Sequence, residues 1–169
     1  FMSKILLSAN HIVQSFGERK ILEFEKLNVY EGDRIGIVGG NGAGKTTLLN
    51  ILSGELVPDE GAVIRSAPVS YFKQFRERAE QADLQKCREL GLTGKLSREH
   101  LSGGEMTRLG LAAMDQDALL TFADEPTANL DADGVELCCR MLEQCSTLLL
   151  ISHDRAVLNR LCTRIIEVR

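Results

Sequence analysis

The sequence predicts an α/β protein with a mixed core sheet, an N-terminal antiparallel β region and a small helical subdomain. Three observations support this prediction. Residues 34–52 contain a short apolar run, a glycine-rich loop and leucines at helical spacing, which indicates a strand, a loop and a helix. Residues 119–168 alternate apolar runs with amphipathic segments, a rhythm typical of parallel strands joined by helical crossovers. Residues 5–30 are strand-like instead, with short apolar runs on either side of a polar turn and then one long alternating run.

The N-terminal half is predicted from apolar runs and from the turn residues between them. A polar turn is expected between the first two runs, and Glu31-Gly32-Asp33 is a turn that leads into the buried strand Arg34–Val38. Gly54 is expected to end the helix, and residues 58–61 form a turn. The other predicted strands of this half are residues 5–7, 11–13, 21–30, 62–65 and 69–72.

The predicted helical subdomain comprises residues 76–114, and the core comprises residues 1–75 and 115–169. Within the subdomain, residues 76–90 are rich in charged side chains with few apolar positions, which is typical of an exposed helix. A second helix is expected over residues 105–114. The remaining predicted elements are strands at residues 119–123, 146–152 and 164–168, and helices at residues 132–144 and 155–161.

The glycine-rich loop carries the first chemical signal. Residues 39–47 read GGNGAGKTT and match the spacing G-x-x-x-x-G-K-[ST]. In this pattern backbone N–H groups and a helix N-terminus face phosphate oxygens, the lysine contacts the β and γ phosphates, and the hydroxyl binds Mg²⁺. The alternative is a glycine-rich turn that only connects a strand to a helix. The residues expected to contact a nucleotide here are Gly39, Asn41, Gly42, Ala43, Gly44, Lys45, Thr46 and Thr47, with Thr46 also a metal ligand.

Two adjacent acids carry the second signal. Asp124 and Glu125 end an apolar run, and ligands bind at strand tips in open α/β sheets. We expect Asp124 to hold Mg²⁺, directly or through water, and Glu125 to orient or deprotonate an attacking water. The alternative is a strand that simply ends at a polar turn.

Composition limits the class of protein. The 169 residues correspond to one domain by the usual relation of length to domain number. A net charge of −4 argues against extensive direct contact with RNA or DNA, and no apolar run approaches the length of a membrane span. No secretory signal is recognised, and the five cysteines contain no C-x-x-C pair, so reduced thiols and a cytoplasmic location are expected.

Further motifs resemble those of the ABC ATPase domain, and the resemblance covers nearly the whole chain. Residues 101–105, LSGGE, resemble the signature motif of that family, and residues 129–131, NLD, resemble its D-loop. Gln74 lies where the family has its Q-loop glutamine, and His153 lies where it has its switch histidine. Phe16 precedes the glycine loop at the distance of the family's adenine-stacking aromatic.

The resemblance implies a P-loop NTPase fold, ATP and Mg²⁺ as ligands, and a second ABC ATPase domain as partner. Two such domains would face each other head to tail, so that the signature motif of one contacts the γ phosphate held by the other. The roles implied in this way are catalytic for Glu125, His153 and Gln74, nucleotide contact for Phe16, Ser102, Gly103, Gly104 and Asp131, and metal contact for Thr46, Gln74 and Asp124.

Some of these positions also fit simpler roles. Phe16 equally fits a core position, because aromatic residues close sheets as readily as they stack on purines. Gln74 and His153, taken alone, fit structural polar roles. Residues 102–104 fit a helix N-cap followed by a glycine turn.

Two functions are compatible with such a domain. Residues 122–131 (FADEPTANLD), residues 151–155 (ISHDR) and residues 32–36 (GDRIG) resemble ABC-F proteins, which carry two ATPase domains and act on the ribosome, including members that protect it from antibiotics. Only 26 residues separate Gln74 from Leu101, which is short for a transporter subunit. We therefore favour the first ATPase domain of a longer ABC-F protein that reaches the ribosome through other regions. The alternative is the ATP-binding subunit of a membrane transporter.

Overall fold

Two sheets and three helices make up residues 3–72 and 117–169, which are the residues described by this computed structural model. The described elements are β1 (Ile5–Phe16), β2 (Arg19–Tyr30), β3 (Arg34–Val38), α1 (Lys45–Ser53), β4 (Glu60–Arg65), β5 (Val69–Phe72), β6 (Leu120–Asp124), α2 (Ala132–Glu143), β7 (Leu148–Ile151), α3 (Arg155–Leu161) and β8 (Arg164–Glu167).

Antiparallel and parallel pairing are segregated between the two sheets. The N-terminal sheet is antiparallel with strand order β2-β1-β4. The second sheet has the order β5-β6-β7-β3-β8, and each of its neighbouring pairs is parallel. The predicted α/β class with an N-terminal antiparallel region is confirmed.

The first strand differs from its prediction. Instead of two strands around a polar turn, β1 is continuous from Ile5 to Phe16. Ser8 and Asn10 lie on its outer face, where they hydrogen-bond to each other at 3.2 Å, while Ala9 between them is fully buried. Two polar residues on one face of a strand produced the false turn signal, because successive side chains point to opposite faces.

β4, which pairs with one edge of β1, also begins earlier than predicted. Gly61 was expected in a turn but lies inside β4, with φ of 93°. It faces an irregularity in the β1–β4 register between Asn10 and Val13, where His11 has φ of 53°. A Cβ at position 61 would lie 2.5 Å from the Asn10 carbonyl oxygen, so glycine is required for this close approach of two backbones.

The other predicted elements in the described ranges are confirmed within two residues at each end, and Gly54 ends α1 in a left-handed conformation. The helices predicted at residues 76–90 and 105–114 lie outside the described residues, as does the subdomain at residues 76–114.

The parallel sheet is covered on both faces, as its apolar strands require. One core cluster joins β1, β2 and α1 to the face that carries Ile35 and Phe122. The other packs α2 and α3 against the opposite face, which carries Leu148 and Leu150. Four of the five cysteines lie in the described part of the chain; Cys138, Cys139 and Cys145 are buried, and Cys162 is half-buried.

Arg34 joins β3 to the ends of both C-terminal helices. Its guanidinium donates hydrogen bonds to the carbonyl oxygens of Leu142 and Cys145 at 2.7 Å each and of Leu161 at 2.6 Å. Leu142 and Leu161 lie in the last turns of α2 and α3, where carbonyl groups have no partner within the helix. A single cation therefore satisfies carbonyls at two helix C-termini.

We predict that Arg34→Met lowers the free energy of unfolding by about 2 to 4 kcal/mol, because three carbonyls lose a charged donor. The measurement is a urea titration in which the midpoint falls while the slope is unchanged. Arg169→Met removes the same charge from a side chain that is 83% exposed and should leave the midpoint unchanged. Equal effects of the two substitutions would contradict the role given to Arg34.

Candidate functional site

The glycine loop joins β3 to α1 and depends on close backbone packing. Gly44 precedes α1 with φ of 101°, and a Cβ there would lie 2.7 Å from the Ile21 side chain. A Cβ on Gly39 would overlap the carbonyl oxygen of Val168. The loop is therefore pressed between β2 and the segment after β8, and only glycine fits at these two positions.

The start of α1 concentrates positive charge at the loop. Its N-cap residue Gly44 contributes no side-chain cap, and its first turn contains no acidic residue. The first backbone N–H groups of α1 and the positive end of its dipole thus face the loop. Lys45 is only 8% exposed, and its ammonium donates to the carbonyl oxygens of Gly39 at 2.5 Å and Gly40 at 3.2 Å.

One side of α1 is hydrogen-bonded to the neighbouring strands. The hydroxyl of Thr46 donates to Asp124 Oδ2 at 2.7 Å, at the end of β6. One turn further along the helix, Asn50 Oδ1 accepts a hydrogen bond from the Tyr71 hydroxyl of β5 at 3.1 Å. These contacts place a hydroxyl and a carboxylate side by side, at the carboxyl edge of the parallel sheet.

Glu125 follows Asp124 in an unusual backbone conformation. Its φ is 49°, and its N–H donates to the Ile151 carbonyl at 2.9 Å. The carboxylate atom Oε1 is buried without an aligned hydrogen-bond donor in the described ranges, and Nε2 of His153 lies 3.1 Å from it. Burial raises the pKa of the Glu125 carboxyl, and the charge of Asp124 adds to this effect against the opposing influence of His153 and Lys45.

A cavity of about 480 Å³ collects most of the predicted site residues. Phe16 is 53% exposed and borders this cavity, so the alternative that it is a core residue is wrong. Ile21 and Ile151 also border the cavity and were not predicted from the sequence. The complete lining is Phe16, Ile21, Asn41, Gly42, Ala43, Gly44, Lys45, Thr46, Thr47, Asp124, Glu125, Ile151 and His153.

Other predicted site residues lie elsewhere. Gly39 contributes its carbonyl oxygen to Lys45 but is not part of the cavity lining. Asp131 is also not part of it and caps α2, accepting a hydrogen bond from the Gly134 N–H at 2.8 Å. Gln74, Ser102, Gly103 and Gly104 lie outside the described residues.

The donor set fits a magnesium ion that is completed by substrate. Across residues 3–72 and 117–169, no group of three or more His, Cys, Asp or Glu side chains forms a metal cage. Thr46 and Asp124 instead present two adjacent oxygen atoms. Mg²⁺ prefers oxygen ligands and is commonly bound by one or two protein groups together with phosphates.

The sequence is similar to a known family and to several curated proteins. The family described as "ABC transporter" matches residues 22–91. The "Probable ATP-binding protein YheS" of Escherichia coli O6:H1 is 36% identical over 90% of this chain and 28% of the relative. The "Erythromycin resistance ATP-binding protein MsrA" of Staphylococcus epidermidis is 29% identical over 99% of this chain and 36% of the relative. The "Ribosome protection protein VmlR" of Bacillus subtilis is 31% identical over 96% of this chain and 31% of the relative. The chain thus spans about a third of the length of these relatives.

Solved structures share the arrangement of the described elements. A structure described as "RNase-L Inhibitor" matches with a TM-score of 0.84 and 28% identity, over 99% of this chain and 38% of that one. A dimeric ATP-binding cassette described as a post-hydrolysis state bound to ADP and Pi matches with a TM-score of 0.81, over 96% of this chain and 94% of that one. Its identity is 21%, so this second likeness concerns the fold alone. No helix in the described ranges of the present chain has the length and apolar character needed to cross a membrane.

We predict that Glu125→Gln stabilises the protein at neutral and alkaline pH and that the gain disappears as the pH falls. Because the pKa of this carboxyl is raised in the folded state, the folded protein holds the proton more tightly than the unfolded chain. Its stabilising contribution is complete below the unfolded pKa and is lost as the pH rises through the folded pKa. Glutamine mimics the protonated form at every pH.

Thermal unfolding of both proteins between about pH 4 and 8 measures this difference, because the unfolded pKa of a glutamate is about 4.3. Glu18→Gln alters an exposed side chain and serves as the control, with no pH-dependent difference expected. A stabilisation by Glu125→Gln that is the same at all pH values would show that the charge of Glu125 is not its source.

Proposed function

The chain belongs to the ABC ATPase family, and from this premise we propose that it binds and hydrolyses ATP as one ATPase domain of an ABC-F protein acting on the ribosome. The resemblance predicted from the sequence is thereby confirmed at the level of the family. The observation that carries the ATPase proposal is the cavity in which the glycine loop, Asp124, Glu125 and His153 come together. The ribosomal part is supported by relatives named for ribosome protection and for erythromycin resistance.

The phosphate end of the cavity suits a triphosphate. The N-terminus of α1 and the ammonium of Lys45 provide positive charge, and the glycines let backbone N–H groups approach an anion. Thr46 and Asp124 would hold Mg²⁺, with Gln74 as a further contact. When bound, the ion neutralises charge on the β and γ phosphate oxygens. Phe16 and Ile21 form an apolar surface at the cavity that suits a purine base.

Glu125 has the surroundings expected of a residue that orients or deprotonates water. Its pKa is raised and is therefore closer to neutral pH, and a general base transfers protons efficiently when its pKa is near the working pH. The imidazole of His153, 3.1 Å from the carboxylate, would hold Glu125 and the γ phosphate in a common geometry. Gln74 would complete this set as the third catalytic residue.

The site would be completed by a second ABC domain. Ser102, Gly103 and Gly104 of one domain would contact the γ phosphate held by the other, and Asp131 would lie near that interface. A structural relative of this fold is described as a dimer. We propose that the core of residues 1–75 and 115–169 and the helical subdomain of residues 76–114 form one of the two ATPase domains of a longer polypeptide. ATP-driven closure of the two domains would be the step that is coupled to the ribosome.

We predict that Lys45→Ala weakens ATP binding by about 10- to 100-fold or more, because a charge-assisted contact to phosphate is lost. Isothermal titration calorimetry on the 169-residue chain provides the measurement. Lys26→Ala removes the same charge from an exposed position on β2 and should leave the affinity unchanged. If Lys45→Ala bound ATP as tightly as the parent chain, the glycine loop would not be the phosphate site.

We predict that Glu125→Gln in the full-length protein slows ATP hydrolysis by about 10²- to 10⁴-fold while ATP still binds, because a general base is lost. The ATP-bound closed state should then accumulate and co-sediment with ribosomes in sucrose gradients. The parent protein should show less co-sedimentation under the same conditions, because hydrolysis reopens its domains.

Two outcomes of this experiment would contradict the proposal in different ways. Hydrolysis at the parental rate would remove Glu125 from the catalytic set. Co-purification of the ATP-trapped protein with an integral membrane partner, and not with ribosomes, would favour a transporter subunit over an ABC-F protein.

A further inference from the structure

The end of β1 contains an irregularity beside the cavity. Gln14 pairs with Leu22 of β2, whereas the next residue, Ser15, pairs with Lys20. Ile21 is therefore an extra residue on β2, which makes this a β-bulge in the first hairpin. Ile21 borders the cavity, as does Phe16 at the end of β1.

The extra residue of the bulge is on β2, and the exposure of the β1 side chains changes sharply opposite it. In a regular strand, residues two apart share a face, so Gln14 and Phe16 would have similar surroundings. Gln14 is instead 4% exposed, and Phe16 is 53% exposed at the cavity. A bulge increases the local twist of a strand pair and can re-aim side chains at functional sites, and both Ile21 and Phe16 border the cavity here.

Asp59 lies in the loop before β4. It hydrogen-bonds to β1 beside the bulge, on the edge of β1 that faces away from β2. Its carboxylate oxygen Oδ2 accepts a hydrogen bond from the Ser15 N–H at 2.8 Å. Its own N–H donates to Gln14 Oε1 at 3.2 Å, and Gln14 Nε2 donates to the Ser15 carbonyl at 3.0 Å. Three residues thus form a closed set of hydrogen bonds, which we call the Asp59 clamp.

The Asp59 clamp provides hydrogen bonds to β1 at the point where β4 no longer pairs with it. The register between β1 and β4 ends at the pair Val13 and Glu60, so beyond Val13 the β1 backbone has no β4 partner. The Asp59 carboxylate accepts the Ser15 amide just beyond this point. An amide without an acceptor would cost free energy and would favour another course of the chain toward Phe16.

We propose that Asp59 is a positioning residue for the nucleotide base: through the Ser15 amide and Gln14 it fixes the bulge that aims the Phe16 ring into the cavity. This inference rests on the proposed ATP site and concerns only its base end. Asp59 itself is not part of the cavity lining. It acts on the nucleotide through the backbone of β1.

The groups that would face the phosphates lie on other elements than the clamp, and Ile21 of the bulge meets the glycine loop beside Gly44. Lys45, Thr46 and the glycine loop lie on β3 and α1, whereas the clamp holds the ends of β1 and the loop before β4. Loss of the clamp should therefore reduce mainly the part of the affinity that depends on the base. Inorganic tripolyphosphate has the phosphates of ATP without the base, and it reports the other part.

The test compares the affinities of the 169-residue chain for ATP and for tripolyphosphate by calorimetry. Asp59→Ala should weaken ATP binding by about three- to tenfold, a fraction of what stacking on an aromatic ring provides. Tripolyphosphate affinity should stay within about twofold, the scatter of near-neutral surface changes. Glu60→Ala removes the same charge from the adjacent exposed position and should change neither affinity. Asp59→Asn keeps an oxygen acceptor for the Ser15 amide and should retain most of the ATP affinity.

A double substitution separates positioning from general support of the fold. If Asp59 acts through Phe16, then Asp59→Ala should have no further effect on ATP affinity in a Phe16→Ala background. Equal losses for ATP and tripolyphosphate, or additive losses in the double variant, would overturn the proposal. It would also be overturned if Phe16→Ala left the ratio of the two affinities unchanged. In contrast, a parent chain that bound neither ligand would refute the ATP site itself.

Discussion

Parallel pairing at the centre of the second sheet is the constraint on which the site depends. Ile151 of β7 pairs with Ile37 of β3 on one side and with Asp124 of β6 on the other. Neighbouring strands lie about 4.8 Å apart, so residues that follow these three strands emerge at one edge within a few side-chain lengths. The glycine loop, Glu125 and His153 are distant in sequence, and this register brings them to a single cavity.

The two edges of this sheet differ in how charge meets the helix ends. At the carboxyl edge, α1 presents its N-terminus, and the site contains the cation of Lys45. At the opposite edge, Arg34 satisfies carbonyl oxygens at the ends of α2 and α3. The Arg34 cation stabilises the negative ends of the α2 and α3 dipoles. The N-terminus of α1, at the other edge, directs its backbone N–H groups at the glycine loop. The same strand, β3, therefore connects the anchoring cation to the proposed binding loop.

Local patterns were sufficient to predict most of the architecture and the glycine loop of the proposed site. Apolar runs mark β3, β6 and β7 because these strands are buried on both faces, and the glycine spacing identifies the loop directly. What local patterns missed depends on contacts between distant segments. The continuity of β1 depends on pairing with β2 and β4, and Ile21 reaches the cavity only because of a bulge. Phe16 was undecided between core and cavity for the same reason, since the neighbouring Ser15 amide is held by Asp59, 43 residues from Phe16.

Glu125 combines several features that a sequence selected only for stability would avoid. A left-handed conformation is strained for a residue with a Cβ, and burial of the carboxylate oxygen Oε1 without an aligned donor is unfavourable. The surroundings nevertheless maintain this conformation, because the Glu125 N–H donates to Ile151 and its carbonyl accepts from Ala128 at 3.2 Å. Both hydrogen bonds hold the backbone while leaving the carboxylate directed at His153 and the cavity. Strain that is held in place at a cavity with convergent charges is the pattern expected of a residue kept for chemistry, at some expense of stability.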